Sequence, residues 1–292
     1  MTGEAAYKAS VSLPREIAEN IAAVLTELLW PPADAVGLFD NEDGTWRVEA
    51  TFSDRPDEAA MDTFLRAHGA EDFNLAFDDV PPADWVAISQ SGLHPVRAGR
   101  FLVHGGHDRG KVARNRYAIE IDAGQAFGTA HHGSTIGCLM AIDELAKRSV
   151  LRNVLDVGTG TGILAIAAVR AWRARVTASD IDPVAVKTAR QNVRVNGAAQ
   201  HVTTVLAGGL NAPAIRESSP YDLVIANILV RPLIGLAHDI ARALRPGGIV
   251  ILSGITIKQA EGVAAAYRAA GFTRLRRLTV SGWVTLALRR RT

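Results

Sequence analysis

Residues 154–162 read V-L-D-V-G-T-G-T-G, and the next apolar run ends in a carboxylate at Asp180. A short hydrophobic strand that runs into glycines, followed by a second strand ending in an acidic residue, is how an open α/β sheet builds a nucleoside site. The stretch therefore predicts an α/β fold with a ligand beyond the end of this strand.

The spacing of the glycines separates the classes of nucleoside cofactor. The dinucleotide pattern G-x-G-x-x-G places its third glycine where a helix closes on a pyrophosphate, but Ile163 occupies that position here. A P-loop is excluded because no Lys-Ser or Lys-Thr follows the glycines. The turn instead fits a ligand that backbone approaches closely without a phosphate to hold. We expect S-adenosylmethionine, whose ribose would donate hydrogen bonds to Asp180; the alternative is a turn that only packs a helix on the sheet.

Length and composition bound the class of protein. The chain has 292 residues, of which 48% are hydrophobic, which leaves room for about two domains. It has no apolar stretch of bilayer length and no signal-peptide core, so we expect a cytoplasmic protein without a membrane partner. The single cysteine, Cys138, excludes an internal disulfide and a cysteine-built metal site, and we expect it to be a small buried hydrophobe.

The net charge of +2 hides a strong asymmetry. Residues 1–85 hold 18 Asp and Glu against 5 Lys and Arg, a net of −13, and the remainder holds 12 against 27, a net of +15. Phosphate binding needs a basic surface, so the acidic part does not suit nucleic acid, and we expect no direct nucleic-acid partner. It suits a basic protein partner. The alternative explanation of the charge asymmetry is that the acidic and basic parts of the chain are two solvated faces that dock on each other.

The chain divides into an acidic module, a connector and a larger α/β domain. Residues 5–66 show a β-α-β-β-α order that is compatible with half of a ferredoxin-like sandwich. Weaker signals follow in 70–110, which we interpret as a linker with one strand. The predicted domains are 1–68, 69–110 and 111–292. The predicted elements of the first module are strands at 7–11, 35–39 and 46–52 and helices at 14–29 and 56–66.

From residue 111 onward, helices alternate with apolar strands. Short runs rich in Val, Ile and Leu imply strands buried on both faces of a mostly parallel sheet. The last two runs meet across Ser281 and Gly282 and predict an antiparallel hairpin. The predicted strands are 153–157, 175–179, 202–207, 222–226, 249–253, 274–280 and 283–289.

Three strand ends carry candidate site residues, because ligands of open α/β sheets collect beyond the carboxyl ends of the strands. The first end gives Asp156, Gly158 and Gly160, the second gives Asp180, and the fourth gives Asn227. An asparagine there can offer its carbonyl to a substrate amine or bond the cofactor. Its alternative role is to form a turn.

A glycine-containing loop, G-Q-A-F-G-T-A-H-H-G-S-T at 124–135, precedes a helix predicted to begin near Ile136. Ser134 and Thr135 are placed to cap that helix. The loop is also suited to fold over the cofactor and exclude water. His131 and His132 have no third ligand at metal-binding spacing, so we expect no metal.

These motifs together resemble a known family. The segments G-Q-A-F-G-T-A-H-H-G-S-T, L-D-V-G-T-G-T-G-I-L-A-I-A-A, S-D-I-D-P-V-A-V, A-N-I-L and S-G-I, in this order, resemble the PrmA family of bacterial methyltransferases that act on ribosomal protein L11. D-W-V-A-I-S-Q-S-G-L-H-P-V-R-A-G-R-F at 84–101 is similar to the family's linker region. The resemblance covers the chain from residue 84 to the C-terminus.

The resemblance implies a seven-stranded class I methyltransferase domain, Rossmann-like, behind a small α+β ferredoxin-like substrate-recognition domain. It implies that Thr135, Gly158, Asp180 and Asn227 contact S-adenosylmethionine, and that Ala130 stands where the family's loop has a glycine. It further implies a monomeric enzyme that methylates amines of a basic ribosomal protein, on lysine side chains or an α-amino group. Asn227 is our candidate to orient the amine, and N-I-L in place of N-P-P-[YF] speaks against a planar base or glutamine amide.

Three alternatives stay open on the sequence. The first is the same chemistry on another basic protein or a small amine. The second is a cofactor-binding protein without activity, for which Ala130 is the only support. The third is a nicotinamide oxidoreductase, which Ile163 disfavours.

Overall fold

The computed structural model describes residues 6–27, 35–41, 43–52, 55–70, 75–80, 95–112, 115–121 and 132–292. The chain forms two compact units, Met1–Ile88 and Ser89–Thr292. The domain bounds expected from the sequence stay a prediction.

The first unit is a four-stranded antiparallel sheet with two helices. Its strand order, β2-β3-β1-β4, and its β-α-β-β-α-β chain order are those of a ferredoxin-like sandwich. Alternate residues of the first strand, Ala9, Val11 and Leu13, are buried in the same core as Ile21 and Leu65 of the helices. The elements are β1 (Ala6–Pro14), α1 (Arg15–Glu27), β2 (Ala35–Asp40), β3 (Thr45–Phe52), α2 (Glu58–Ala67) and β4 (Ala76–Val80).

Two features of this unit differ from the expectation. β4 lies in the segment interpreted as a linker, yet it pairs antiparallel with β1. Its sequence, A-F-D-D-V, lacks the alternation of a half-buried strand, so only the distant pairing reveals it. α2 begins two residues later than expected, because the Asp57 carboxylate caps it and accepts from the amides of Ala59 (2.9 Å) and Ala60 (3.1 Å).

The second unit holds a small three-stranded sheet and a seven-stranded sheet. The small sheet is β5 (Val96–Ala98), β6 (Phe101–His104) and β7 (Ala118–Glu120). Of these only β6 was predicted; β5 lies in the expected linker, and β7 lies in the domain expected from residue 111 onward. The large sheet comprises β8 (Asn153–Val157), β9 (Arg175–Asp180), β10 (Val202–Leu206), β11 (Tyr221–Asn227), β12 (Leu244–Thr256), β13 (Phe272–Val280) and β14 (Trp283–Arg290). Its helices are α3 (Gly133–Ala146), α4 (Ile163–Trp172), α5 (Pro183–Val195), α6 (Pro213–Glu217), α7 (Val230–Gly235), α8 (Ala237–Ala243) and α9 (Ala260–Ala269).

The order of the large sheet is β10-β9-β8-β11-β12-β14-β13. The strands from β10 to β12 pair in parallel, and β14 is antiparallel to both of its neighbours. The predicted seven-stranded methyltransferase fold is confirmed, including the terminal hairpin. At its turn Ser281 (φ 46°) and Gly282 (φ 80°) both take positive φ, as a two-residue hairpin requires.

Apolar side chains cover both faces of this sheet. Along β11, Leu223 and Ile225 join the core beneath α3 and α4, and Val224 and Ala226 join the core beneath α7, α8 and α9. The two-sided burial explains the continuous apolar runs. The carboxyl ends of five neighbouring strands therefore meet at one edge, which we call the carboxyl edge. Among the described residues, no helix has the length and apolar character needed to cross a bilayer.

Candidate active site at the carboxyl edge

The glycine turn after β8 takes a backbone path that other residues tolerate poorly. Gly158, Gly160 and Gly162 have φ values of 68°, 54° and 83°. A Cβ on Gly158 would overlap the Ile228 side chain, and one on Gly162 would lie 3.2 Å from Ala189 Cα. The alternating glycines are thus required by positive φ and by close packing, and α4 follows directly.

Asp180, the last residue of β9, lies beside this turn. The amide of Gly160 donates to its Oδ2 (2.8 Å), and the amide of Asp182 donates to its Oδ1 (3.1 Å). The side chain is half-buried. Each carboxylate oxygen accepts one backbone bond, so lone pairs remain for a further donor.

Asp156 lies beneath the turn. Its exposure is 0%, and its Oδ2 accepts from Thr159 Oγ1 (2.7 Å) and from the amide of Ala165 (3.1 Å). Its Oδ1 has no hydrogen-bond partner among the described residues. Burial raises the pKa of Asp156 to about 7, although the two hydrogen bonds oppose the shift. The carboxyl holds the turn against α4.

Asn227 and Thr135, which were predicted from separate motifs, are brought together. Asn227 Nδ2 donates to Thr135 Oγ1 across 3.4 Å, and Thr135 is fully buried while Asn227 is half-buried. Because the amide nitrogen faces Thr135, the amide carbonyl of Asn227 is left for another donor.

The start of α3 differs from the expectation. The helix begins at Gly133 rather than near Ile136, so Ser134 and Thr135 lie in its first turn, and neither caps it. A Cβ on Gly133 would meet the backbone of Val280, which explains why glycine opens the helix against the hairpin turn. Thr135 is thereby placed inside the fold.

A buried set of hydroxyls supports Thr135 from below. Ser253 Oγ lies 2.9 Å from Thr285 Oγ1 and 3.1 Å from the Ser134 carbonyl, which ties α3 to β12 and β14. Cys138 is buried in the same region, as predicted, and burial raises the pKa of its thiol to about 12. The thiol therefore stays protonated and is not a nucleophile.

Most of the loop at 124–135 lies outside the described residues, including Ala130 and His131. His132 is described: its ring contacts Trp283 with centroids 4.4 Å apart, and its Nδ1 lies 2.6 Å from Ser134 Oγ. Within the described ranges, no three metal-ligating side chains cluster.

Sequence reasoning missed the exposed apolar side chains of this edge. Ile181 follows Asp180 and is 77% exposed, and Leu229 follows Asn227 by two residues and is also 77% exposed. Large apolar side chains beside half-buried polar groups are typical of a ligand site. The sequence feature that could have revealed Ile181 is its position directly after the strand-ending carboxylate of Asp180, in S-D-I-D.

Comparison with known proteins gives one consistent result. The family model for ribosomal protein L11 methyltransferase (PrmA) matches residues 19–291. A ribosomal protein L11 methyltransferase of Bradyrhizobium diazoefficiens is 48% identical over 287 residues, covering 97% of each chain. The corresponding protein of Rhodopseudomonas palustris is 42% identical over 294 residues and 99% of each chain.

The fold has a solved counterpart. The crystal structure of a ribosomal protein L11 methylase from Lactobacillus delbrueckii subsp. bulgaricus superimposes with a TM-score of 0.61 at 29% sequence identity. It covers 68% of this chain and 100% of the other.

Proposed function

Because the chain belongs to the PrmA family of ribosomal protein L11 methyltransferases, we propose that its carboxyl edge transfers methyl groups from S-adenosylmethionine to amines of ribosomal protein L11. The enzyme is an S-adenosylmethionine-dependent protein methyltransferase, and L11 is its substrate. The observation that carries the assignment of the site is that Asp180, the glycine turn and the Asn227–Thr135 pair meet at one edge of the sheet.

The residues at this edge fit S-adenosylmethionine. We assign the ribose hydroxyls to Asp180, because its half-buried carboxylate retains lone pairs. Ile181 offers an exposed apolar face for the adenine ring, and the backbone at Gly158 and Gly160 allows close approach. The side chain of Asp156 is fully buried beneath the turn. Its direct contact with the cofactor stays a prediction.

The chemistry places few demands on the protein. When bound, S-adenosylmethionine supplies an electrophilic methyl group on a sulfonium. A lysine side chain has a pKa of about 10.4 in water, and it must be neutral to attack. The exposed apolar side chain of Leu229, two residues after Asn227, desolvates the amine and lowers its pKa, and positioning supplies much of the remaining acceleration.

Asn227 is the group that we assign to orient the amine. Thr135 holds the amide nitrogen, so the Asn227 carbonyl can accept an N–H of the attacking amine. An amine fixed in this way directs its lone pair along a defined line. We assign no general base.

An Asn227→Ala substitution is therefore expected to lower kcat by about 100-fold, which is the typical result of misplacing a reacting group by about 1 Å. Turnover is measured as methyl groups on L11, located by mass spectrometry, with both substrates saturating. The matched control is Asn211→Ala in an exposed loop, which should keep the turnover of the natural enzyme. Normal turnover of Asn227→Ala would contradict the assignment of Asn227 as the residue that orients the amine. Methyl groups found on atoms other than amine nitrogens would contradict the proposed acceptor.

We propose that the acidic first unit recognises L11 through charge. Residues 1–85 carry a net charge of −13, and the helices α1 and α2 hold exposed or half-exposed carboxylates at Glu16, Glu58 and Asp62. Opposite charges on two partners steer their encounter. Screening by salt should weaken such binding.

The triple variant Glu16→Gln, Glu58→Gln, Asp62→Asn should raise the KM for L11 by about fivefold, because exposed charges contribute up to about 1 kcal/mol. Its KM should also depend less on salt than that of the natural enzyme. The matched control neutralises Glu217, Asp239 and Glu261 in the second unit; in both triples, two of the three carboxylates have an arginine partner. Equal KM values for L11 in the two triple variants would refute charge recognition by this unit. A KM of the natural enzyme that does not change with salt concentration would refute it as well.

We also propose that the enzyme acts as a monomer in the cytoplasm. The edge strand β13 carries Arg274, whose side chain has no ion pair among the described residues, and a charged side chain on an edge strand opposes pairing between copies. A ribosomal protein substrate supports the location.

A further inference from the structure

A basic pocket lies at the far end of the large sheet. Arg268 of α9, Arg274 of β13 and Arg291 surround a pocket of about 240 Å³ together with Phe272 and Thr273. The three arginines are exposed, and no carboxylate of the described residues lines the pocket. We call this set the arginine pocket.

Strand directions place the arginine pocket away from the carboxyl edge. β12 and β13 are both antiparallel to β14, so β13 runs parallel to β12 and to the strands that bear Asp180 and Asn227. Phe272 is the first residue of β13. The pocket therefore lies at the amino ends of the parallel strands, opposite to the proposed active site.

Neighbouring arginines are engaged, whereas those of the pocket are not. Arg276 pairs with Glu144 (3.4 Å), Arg277 pairs with Glu261 (2.9 Å), and Arg290 donates to the Leu244 carbonyl. Across the described residues, the side chains of the three arginines that line the pocket have neither an ion pair nor a hydrogen bond. Three free guanidinium groups thus converge without a counter-charge.

We propose that the arginine pocket binds the phosphate backbone of RNA. The guanidinium fork matches phosphate oxygens in pairs of hydrogen bonds, and several arginines on one face are the electrostatic footprint of a nucleic-acid surface. The expectation of no nucleic-acid partner rested on the acidic first unit. The second unit carries the opposite charge, +15 by the counts above.

The surroundings favour RNA over a small anion or a membrane. The pocket is lined by exposed guanidinium groups, which suits an extended phosphate chain better than a buried single ion, and Arg289 adds a further exposed cation beside Thr273. Membrane-binding surfaces combine basic with large apolar side chains. Here Leu275 is the only large apolar residue of the described part of β13 that is exposed.

The test is fluorescence anisotropy of a labelled, mixed-sequence single-stranded RNA with the full chain. The variant is Arg268→Gln, Arg274→Gln, Arg291→Gln, and the control with the same charge change is Arg97→Gln, Lys187→Gln, Arg194→Gln, three exposed residues elsewhere on the second unit. We expect the pocket variant to bind RNA about tenfold more weakly than the natural chain, and its salt slope to fall by about 2, since each phosphate contact contributes about 0.7. The control should stay within about threefold.

Several outcomes would overturn the proposal. Equal losses of RNA affinity in the pocket variant and the control variant would mean that RNA binding depends only on the net charge of the chain. Displacement of the RNA by inorganic phosphate at matched ionic strength would indicate a small-anion site, and preferred binding to vesicles of anionic lipid would indicate a membrane surface. Methylation of isolated L11 should be unchanged in the pocket variant, so a failure here is distinguishable from a failure of the proposed active site. An unchanged thermal unfolding midpoint confirms that the variant is folded.

Discussion

Replacing Asp180 by alanine is expected to weaken the binding of S-adenosylmethionine by at least about 100-fold. The substitution removes the acceptor that holds the amides of Gly160 and Asp182 and, in our assignment, the acceptor for the ribose. A hydrogen bond to a charged group contributes about 1.5–3 kcal/mol, and about 1.4 kcal/mol is a factor of ten in affinity. Loss of the ribose bonds alone accounts for the expected change.

Asp182→Ala is the matched control, because it removes a carboxylate two residues away. Asp182 caps α5 by accepting from the amide of Val184 (2.8 Å), so its loss should cost about 1 kcal/mol of stability with little change in affinity. Titration calorimetry with S-adenosylmethionine and chemical unfolding of both variants separate the two effects. Affinity retained by Asp180→Ala, or lost equally in both variants, would contradict the ribose assignment.

An Asp156→Asn substitution is expected to change how stability depends on pH. Burial raises the pKa of Asp156 to about 7 in the folded chain, against about 3.9 when unfolded. Between these values the native state holds a proton that the unfolded state has lost. The free energy of unfolding contributed by this group therefore falls as pH rises through the window, by a few kcal/mol, since one pKa unit is about 1.4 kcal/mol.

Asparagine keeps an acceptor for Thr159 and Ala165 and carries no charge, so the variant should lose this slope and become more stable than the natural chain above about pH 8. Urea unfolding of both proteins without cofactor, below about pH 5 and above about pH 8, measures the difference. Asp222→Asn is the opposite control. Burial raises the pKa of Asp222, but hydrogen bonds from the Arg152 amide and Arg245 outweigh it and lower the pKa, so its loss should remove stability at neutral pH. Parallel pH profiles for the natural chain and Asp156→Asn would show that Asp156 does not titrate in the window.

The parts of the fold that the sequence predicts are those encoded locally. The strand before Gly158 and the hairpin at Ser281 combine apolar runs with glycines at positive φ, and both are present in the structure. β4, β5 and β7 were not predicted, because they are short strands whose pairing partners, β1 and β6, are distant in the sequence or are themselves short.

The same division applies to the site. Asp180 and Asn227 were predicted from their positions at strand ends, and the structure places them at one edge. The contact of Asn227 with Thr135 and the support of Ser134 by Ser253 join residues 92 and 119 positions apart. Such contacts depend on tertiary packing, and a local sequence pattern does not predict them. Whether these residues bind the cofactor stays a prediction.

The loop after β11 is held from two sides. A Cβ on Gly158 would overlap the Ile228 side chain, and one on Gly254 (φ 80°) would overlap the Ile228 carbonyl. Ile228 is fixed between these glycines, and Asn227 is fixed with it, whereas Leu229 points to solvent. The loop thus holds residue 227 in place and leaves residue 229 exposed. If Asn227 orients the amine as we propose, substitutions at Leu229 should alter the choice of protein substrate without displacing Asn227.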